Sequence, residues 1–118
     1  MEPAQWLRIT SDPPPAVVDG RACRTRAAFF DEVARVLDFP AYFGRNWDAL
    51  VDCLRDVGPV ALVVAHAEDL LAAEPGAHLA TLLDIMATAA ADDGLTLTLC
   101  AGPGQETALR QRVTAALR

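Results

Sequence analysis

Three short runs, apolar throughout or at every second position, constrain the fold of this chain more than any other feature of its sequence. They cover residues 16–18, 60–64 and 95–99, and amphipathic segments separate them. Runs of this length suit buried strands and are too short for typical helices. Strands that alternate with helical segments predict an α/β fold in which helices pack against a parallel sheet.

Helix signals fill the first gap between the runs. Thr25 is a good N-cap for a first helix, and Pro40 marks its limit because the residue before a proline is pushed out of the helical region. Asn46 caps a second helix, which runs to about Asp56. The stripe of the first helix expected to face the core is Phe29, Val33, Val36 and Leu37.

Further helices are predicted after the second run. Residues 68–73 favour a short third helix, residues 77–91 a fourth, and a last helix follows the hinge at 101–104. Their core-facing positions are Leu79, Leu82, Leu83, Met86 and Ala90 in the fourth helix, and Leu109, Val113 and Leu117 in the last. The prediction is a small three-stranded parallel sheet packed by about four helices, plus an extra C-terminal helix.

Length and composition limit the classes of protein to which the chain can belong. The 118 residues suit one domain. We expect a Pro-rich extension over 1–15, with an edge strand at 6–9, a folded domain over 16–99, and a hinge and helix over 100–118. The start lacks a signal-peptide pattern, no run is long enough for a membrane span, and the three cysteines are odd in number and far apart. These features predict a cytoplasmic, reduced protein, which we expect to be monomeric on its own.

The charge is concentrated in the middle of the sequence. The chain carries −6, yet residues 31–106 hold three Arg and thirteen acidic side chains, a net −10. Such a field repels nucleic acid and anionic membranes and attracts basic partners. Charge alone favours the simpler explanation, a protein that is acidic only for solubility.

The second helix carries a row of carboxylates. Asp48, Asp52 and Asp56 follow each other at four-residue steps, opposite the apolar side of the helix. Like charges at this spacing repel each other, so the row is either neutralised internally or presented to a cation. Structural explanations exist as well: the helix dipole favours Asp48, and Arg55 can pair with Asp52. Asp56 fits an ordinary solvated charge.

Three aromatic residues lie beside this row. Tyr42 and Phe43 precede the helix; one can pack beneath its start while the other faces outward, and Phe43 is expected in the core. An exposed aromatic near acidic side chains suits a protein interface. Trp47 fits either role.

Catalytic and cofactor sites are not predicted. His66 and His78 have no neighbouring nucleophile motif, Cys53 falls on the apolar side of its helix, and no glycine-rich phosphate loop follows a strand. Clusters of metal ligands are also missing from the sequence pattern. We therefore expect no enzyme activity, no cofactor and no metal.

The segment from Tyr42 to Leu54 resembles the barstar family of ribonuclease inhibitors. The similarity rests on Tyr-Phe-Gly at 42–44, Asn46, Asp-Ala-Leu at 48–50 and Asp-Cys-Leu at 52–54, and more weakly covers residues 16–99. It implies a barstar-like fold and inhibition by mimicry, in which carboxylates stand where RNA phosphates bind the enzyme. The partner-binding residues that it implies are Tyr42, Gly44, Asn46, Trp47, Asp48, Ala49, Val51, Asp52 and Asp93.

Several positions depart from the family pattern. Val51 and Val57 stand where the family has aromatic residues, and Ala89 where it can carry an acid. Arg45 replaces an acid and could partly neutralise Asp48. The resemblance implies an intracellular inhibitor, of antitoxin or immunity type, for a basic ribonuclease. The alternative is a barstar-fold interaction module with a different partner, using the helix that carries Arg110, Arg112 and Arg118 as a second contact.

Overall fold

The sheet has three parallel strands in sequential order. The computed structural model describes residues 15–118. The strands β1 (Ala16–Asp19), β2 (Ala61–Ala65) and β3 (Thr96–Leu99) pair in the order β1-β2-β3. The predicted α/β class with a parallel sheet is confirmed, whereas the edge strand expected at residues 6–9 lies outside the described residues.

Four α-helices occur within residues 15–118. They are α1 (Arg26–Val36), α2 (Trp47–Val57), α3 (Gly76–Asp93) and α4 (Glu106–Ala116), and 3₁₀ turns cover Gly20–Ala22 and Ala67–Asp69. Within the same part of the chain, none of these helices combines the length and hydropathy that a bilayer crossing requires.

The two faces of the sheet differ in burial. Val18, Leu62 and Val64 are fully buried among the side chains that form the core with the helices. On the opposite face, Val17 aligns with Val63 and is 52% exposed. Successive side chains of a strand point to opposite faces, so the core lies on one side of the sheet only.

The short third helix expected over residues 68–73 is wrong. The chain makes only the 3₁₀ turn at Ala67–Asp69, and Leu71 then adopts a left-handed backbone with φ 54°. The Leu71 N–H donates to the carbonyl of Cys23 (2.7 Å), and the Ala73 N–H donates to that of Arg24 (3.0 Å). These hydrogen bonds to a distant segment replace the bonds that a helix would have formed within itself.

Two positions in the predicted core stripes are also wrong. Ala90 is exposed, and Ala89 is buried in its place, because the buried stripe continues from Leu82 and Met86 to Ala89 at steps of four and three residues. Leu117 is 66% exposed, since α4 ends at Ala116 and Leu117 lies beyond its packed face. The other expected stripe residues are buried or half-buried.

The C-terminal helix is fixed to the rest of the domain by polar contacts. Helix α4 packs against α3, with Leu109 buried. Arg112 donates hydrogen bonds to the carbonyl oxygens of Glu68 (3.2 Å) and Leu70 (2.9 Å). The Glu68 carboxylate in turn accepts a hydrogen bond from the Gly102 N–H (2.5 Å). The turn at 67–71 therefore anchors both the hinge and the last helix.

Candidate partner-binding surface

The loop before α2 holds one aromatic ring inside and one outside. The Phe43 ring is buried, with its centroid 5.9 Å from that of Phe30 and 5.0 Å from that of Phe39, both in edge-to-face geometry. Its neighbour Tyr42 is 83% exposed. The prediction that Phe43 belongs to the core is confirmed, and Tyr42 is the residue of the pair that faces solvent.

Asn46 joins this loop to the helix. Its side-chain oxygen accepts a hydrogen bond from the Ala49 N–H (2.8 Å), and its side-chain nitrogen donates to the carbonyl of Gly44 (3.3 Å). The predicted N-cap is thus confirmed. Gly44 is exposed, and a Cβ there would lie 3.2 Å from the Asn46 nitrogen, so a side chain would crowd the cap. The two hydrogen bonds fix the loop relative to the first turn of α2.

The carboxylates of α2 face solvent. Asp48, Asp52 and Asp56 are all exposed, whereas Leu50, Cys53 and Leu54 on the opposite side are buried. Burial raises the pKa of the Cys53 thiol, and the charges of Asp56 and Asp52 raise it further. This effect agrees with an uncharged thiol beneath the acidic row.

Asp52 has a weak internal partner. Its Oδ1 lies 3.7 Å from Nη1 of Arg55, and the two side chains are 74% and 66% exposed. The expected pairing is present, but 3.7 Å exceeds hydrogen-bond distance, and exposed pairs of this kind contribute about 0–1 kcal/mol. Asp52 therefore stays available to a stronger cationic partner.

Asp48 does not form the expected ion pair with Arg45. The sequence suggested that Arg45 could partly neutralise it, and this expectation is wrong. Arg45 instead forms an ion pair with Asp31 of α1, at 3.1 Å between Nη2 and Oδ1. Within residues 15–118, no Arg or His nitrogen lies within ion-pair distance of Asp48.

The remaining candidates on α2 differ in how much surface they offer. The Trp47 ring packs inward, with its centroid 5.0 Å from that of Phe30 and 6.5 Å from that of His78. Ala49 also packs partly against the core, and Val51 is half-buried. A partner approaching this side would meet Tyr42 and the carboxylates before these three side chains.

Asp93 lies away from the start of α2. It is the last residue of α3, and a Cβ on the following Gly94 would lie 3.4 Å from Pro59, just beyond the end of α2. Trp47 and His78 are neighbours at the other ends of the two helices. The helices thus run side by side in the same direction, and Asp93 lies near the end of α2 that is opposite Asn46.

Sequence reasoning missed the role of Asp31. Nothing in the spacing of Asp31 and Arg45 predicts their contact, because the loop at 37–46 that brings them together has no regular structure.

Among residues 15–118, no group of His, Cys, Asp and Glu side chains has the arrangement of a metal site.

Comparison with known proteins identifies the family of the chain. The chain matches the family model described as "Barstar (barnase inhibitor)" over residues 14–101. A protein of Bacillus subtilis (strain 168) named "Putative ribonuclease inhibitor YrdF" is 47% identical over 38 residues, which are 32% of this chain and 42% of that protein. The match thus spans less than half of that relative. The family model, in contrast, covers most of this chain, and the chain belongs to the barstar family.

Proposed function

We propose that this protein inhibits a basic ribonuclease by covering its active site with the acidic side of α2. The observation that carries the proposal is Tyr42, 83% exposed beside the α2 carboxylates, among which Asp48 and Asp52 have no close ion-pair partner within residues 15–118. The description of the family and the name of the Bacillus relative support the same class of partner.

Carboxylates are suitable decoys for the phosphates of RNA. An enzyme that binds RNA holds phosphates with Arg, Lys and protonated His side chains, and these donors pair equally well with a carboxylate. Asp52, in the middle of α2, is the proposed central anion. Asp48 flanks it at the helix start, and Asp93 extends the surface towards the far end.

The rest of the footprint positions these charges. Tyr42 is the proposed aromatic anchor, because interface hot spots are enriched in Tyr. Gly44, Asn46, Ala49 and Val51 form the surface around it, whereas Trp47 contributes mainly by packing under the helix. Occlusion of this kind needs no catalytic group, no cofactor and no metal. We place the protein in the cytoplasm as an antitoxin or immunity protein, monomeric before it binds.

Titration with purified barnase, the enzyme that the family description names, tests the proposal. We expect Asp52→Ala to weaken the complex by about 2–5 kcal/mol, because enzyme cations would remain buried without a partner; barnase–barstar is itself a reference system for such values. Asp56→Ala removes the same charge one turn later and should cost much less. Equal, small losses in the two variants would contradict the assigned roles.

A different partner is the alternative outcome. In that case the protein would neither bind nor inhibit basic ribonucleases, and a pulldown would recover an unrelated protein. Of the arginines that could make this contact, Arg112 is bonded to the carbonyls of Glu68 and Leu70. Arg110, in an exposed pair with Glu106, and the exposed Arg118 remain accessible to such a partner.

A further inference from the structure

Arg45 creates an electrostatic problem for the proposed site. It precedes Asp48 by three residues, in the loop that also carries Tyr42. A guanidinium folded onto the first turn of α2 would cancel one of the anions that the site presents. In the structure the guanidinium lies on Asp31 of α1 instead, at 3.1 Å.

The backbone around Arg45 favours this direction. Arg45 has a left-handed conformation with φ 52°, which is uncommon for a residue with a side chain. On one side, buried Phe43 holds the loop against α1, and on the other the Asn46 side chain bonds to both Gly44 and Ala49. With both neighbours fixed, the side chain of Arg45 leaves the loop towards α1, where Asp31 receives it.

We propose that Asp31 is a positioning residue of the partner-binding surface, which holds the Arg45 guanidinium away from α2 and so leaves the charge of Asp48 open to the partner. This inference rests on the proposed function. Asp31 itself needs no contact with the partner. By pairing with Arg45, Asp31 ensures that the guanidinium neutralises a carboxylate of α1 and not one of the row on α2.

The inference predicts a specific pattern of association rates. Exposed ion pairs are weak, so the effect is moderate, and charges at the rim of an interface act mainly on the association rate. We expect Asp31→Asn to slow association with a basic ribonuclease by about three- to tenfold, because the released Arg45 then neutralises Asp48. Arg45→Ala should associate at least as fast as the wild type.

A double-mutant cycle separates this role from the charge of Asp31 itself. Association and dissociation rates are measured by stopped flow, with barnase as the probe, for wild type, Asp31→Asn, Arg45→Ala and the double variant. We expect Asp31→Asn to have no effect once Arg45 is Ala. The matched control is Glu32→Gln, which removes the same charge one residue later but from a carboxylate that pairs with Arg35. An equal loss in Glu32→Gln, a loss that persists in the double variant, or slower association of Arg45→Ala would overturn the inference.

A second measurement does not depend on any partner. The Arg45 side-chain Nε–Hε resonance is followed by NMR in the wild type, Asp31→Asn and Asp48→Asn. We expect Asp31→Asn to shift this resonance and Asp48→Asn to leave it unchanged in an otherwise wild-type chain. The reverse pattern would overturn the role of Asp31. Failure of the wild type to bind the ribonuclease, with this NMR pattern intact, would instead contradict the proposed function.

Discussion

Two adjacent residues in the loop before α2 lie in opposite environments. Phe43 is only 9% exposed and packs against Phe30, whereas Tyr42 is almost fully in solvent. Stability and binding can therefore be altered separately at neighbouring positions. The sequence predicts that Phe43 lies in the core, but not that its ring packs edge-to-face against Phe30 of α1, because that contact depends on tertiary packing.

Substitution of these two rings tests the separation. We expect Phe43→Ala to lower the free energy of unfolding by about 3–5 kcal/mol, because it leaves a cavity among Phe30 and Phe39. Tyr42→Ala should change stability by less than about 0.5 kcal/mol, since an exposed side chain away from special features contributes little, yet weaken ribonuclease binding by at least about 1 kcal/mol. Urea denaturation and calorimetric titration measure the two quantities. A destabilised Tyr42→Ala variant with unchanged binding would contradict the assignment.

The buried thiol of Cys23 makes stability sensitive to alkaline pH. Burial, then the charges of Glu32 and Asp19, raise its pKa from 9.0 to about 12. Because the folded pKa lies above the unfolded one, the unfolded state loses its proton first as the pH rises. The thiol's contribution to stability is therefore complete below about pH 9 and is lost towards pH 12.

Unfolding as a function of pH measures this linkage. We expect two variants without the thiol, Cys23→Ser and Cys23→Val, to lose less stability than the wild type between pH 9 and pH 11. The exposed Cys100 provides the control, since Cys100→Ser should leave the slope unchanged. An identical slope in the wild type and both Cys23 variants would show that the thiol does not cause the fall.

At the scale of elements, helix starts were easier to predict than a turn whose conformation depends on distant residues. Thr25 and Asn46 cap α1 and α2 as expected, because a cap is a local interaction that a few residues specify. The turn at 67–71 was not predictable in the same way. The backbone of this segment is fixed by hydrogen bonds that the N–H groups of Leu71 and Ala73 donate to the carbonyls of Cys23 and Arg24, more than 40 residues earlier. Long-range backbone pairing of this kind leaves no local pattern.

The cap of α2 links stability to the proposed binding surface. We expect Asn46→Ala to destabilise the protein by about 1 kcal/mol, because the Ala49 N–H loses its acceptor. Asn46→Asp keeps an acceptor at the same position and should retain most of the stability. Thermal unfolding of the three proteins provides the comparison. Equal losses in the two variants would indicate that the bond to the Gly44 carbonyl, which only Asn can make, matters more than the cap.

The anchoring of α4 is testable with two arginines of the same helix. Arg112 donates to two partly buried carbonyls, whereas Arg110 pairs only with the exposed Glu106. We expect Arg112→Ala to lower the free energy of unfolding by about 1–3 kcal/mol and Arg110→Ala by less than about 0.5 kcal/mol. Neither change should weaken ribonuclease binding by more than about threefold, since the proposed surface lies on α2. A selective loss of binding in Arg110→Ala would favour the alternative partner contact.

At the scale of the whole molecule, the fold determines which acidic side chains form ion pairs with arginines. The sequence alone predicts the acidic character of residues 31–106, but charge density is compatible with solubility as well as with binding. The fold removes part of this ambiguity. It pairs Asp19, Asp31, Glu32 and Asp69 with arginines. Within residues 15–118, in contrast, Asp48 has no ion-pair partner and Asp52 has only a distant one. Only three-dimensional packing distinguishes the two groups of acids.

The uncompensated acids should steer association with a basic enzyme. Opposite charges accelerate encounter, and salt screens them with a Debye length of about 10 Å at 0.1 M. We therefore expect the association rate with barnase to fall at least about tenfold between 0.02 and 0.5 M NaCl, while the dissociation rate changes much less. Asp48→Asn should reduce this salt dependence, because it removes a charge within one Debye length of the contact. Glu106→Gln, on α4, removes an acid that Arg110 already compensates and should reduce it less. Rates that do not respond to salt, or respond equally in both variants, would mean that the acidic side of α2 does not guide the encounter.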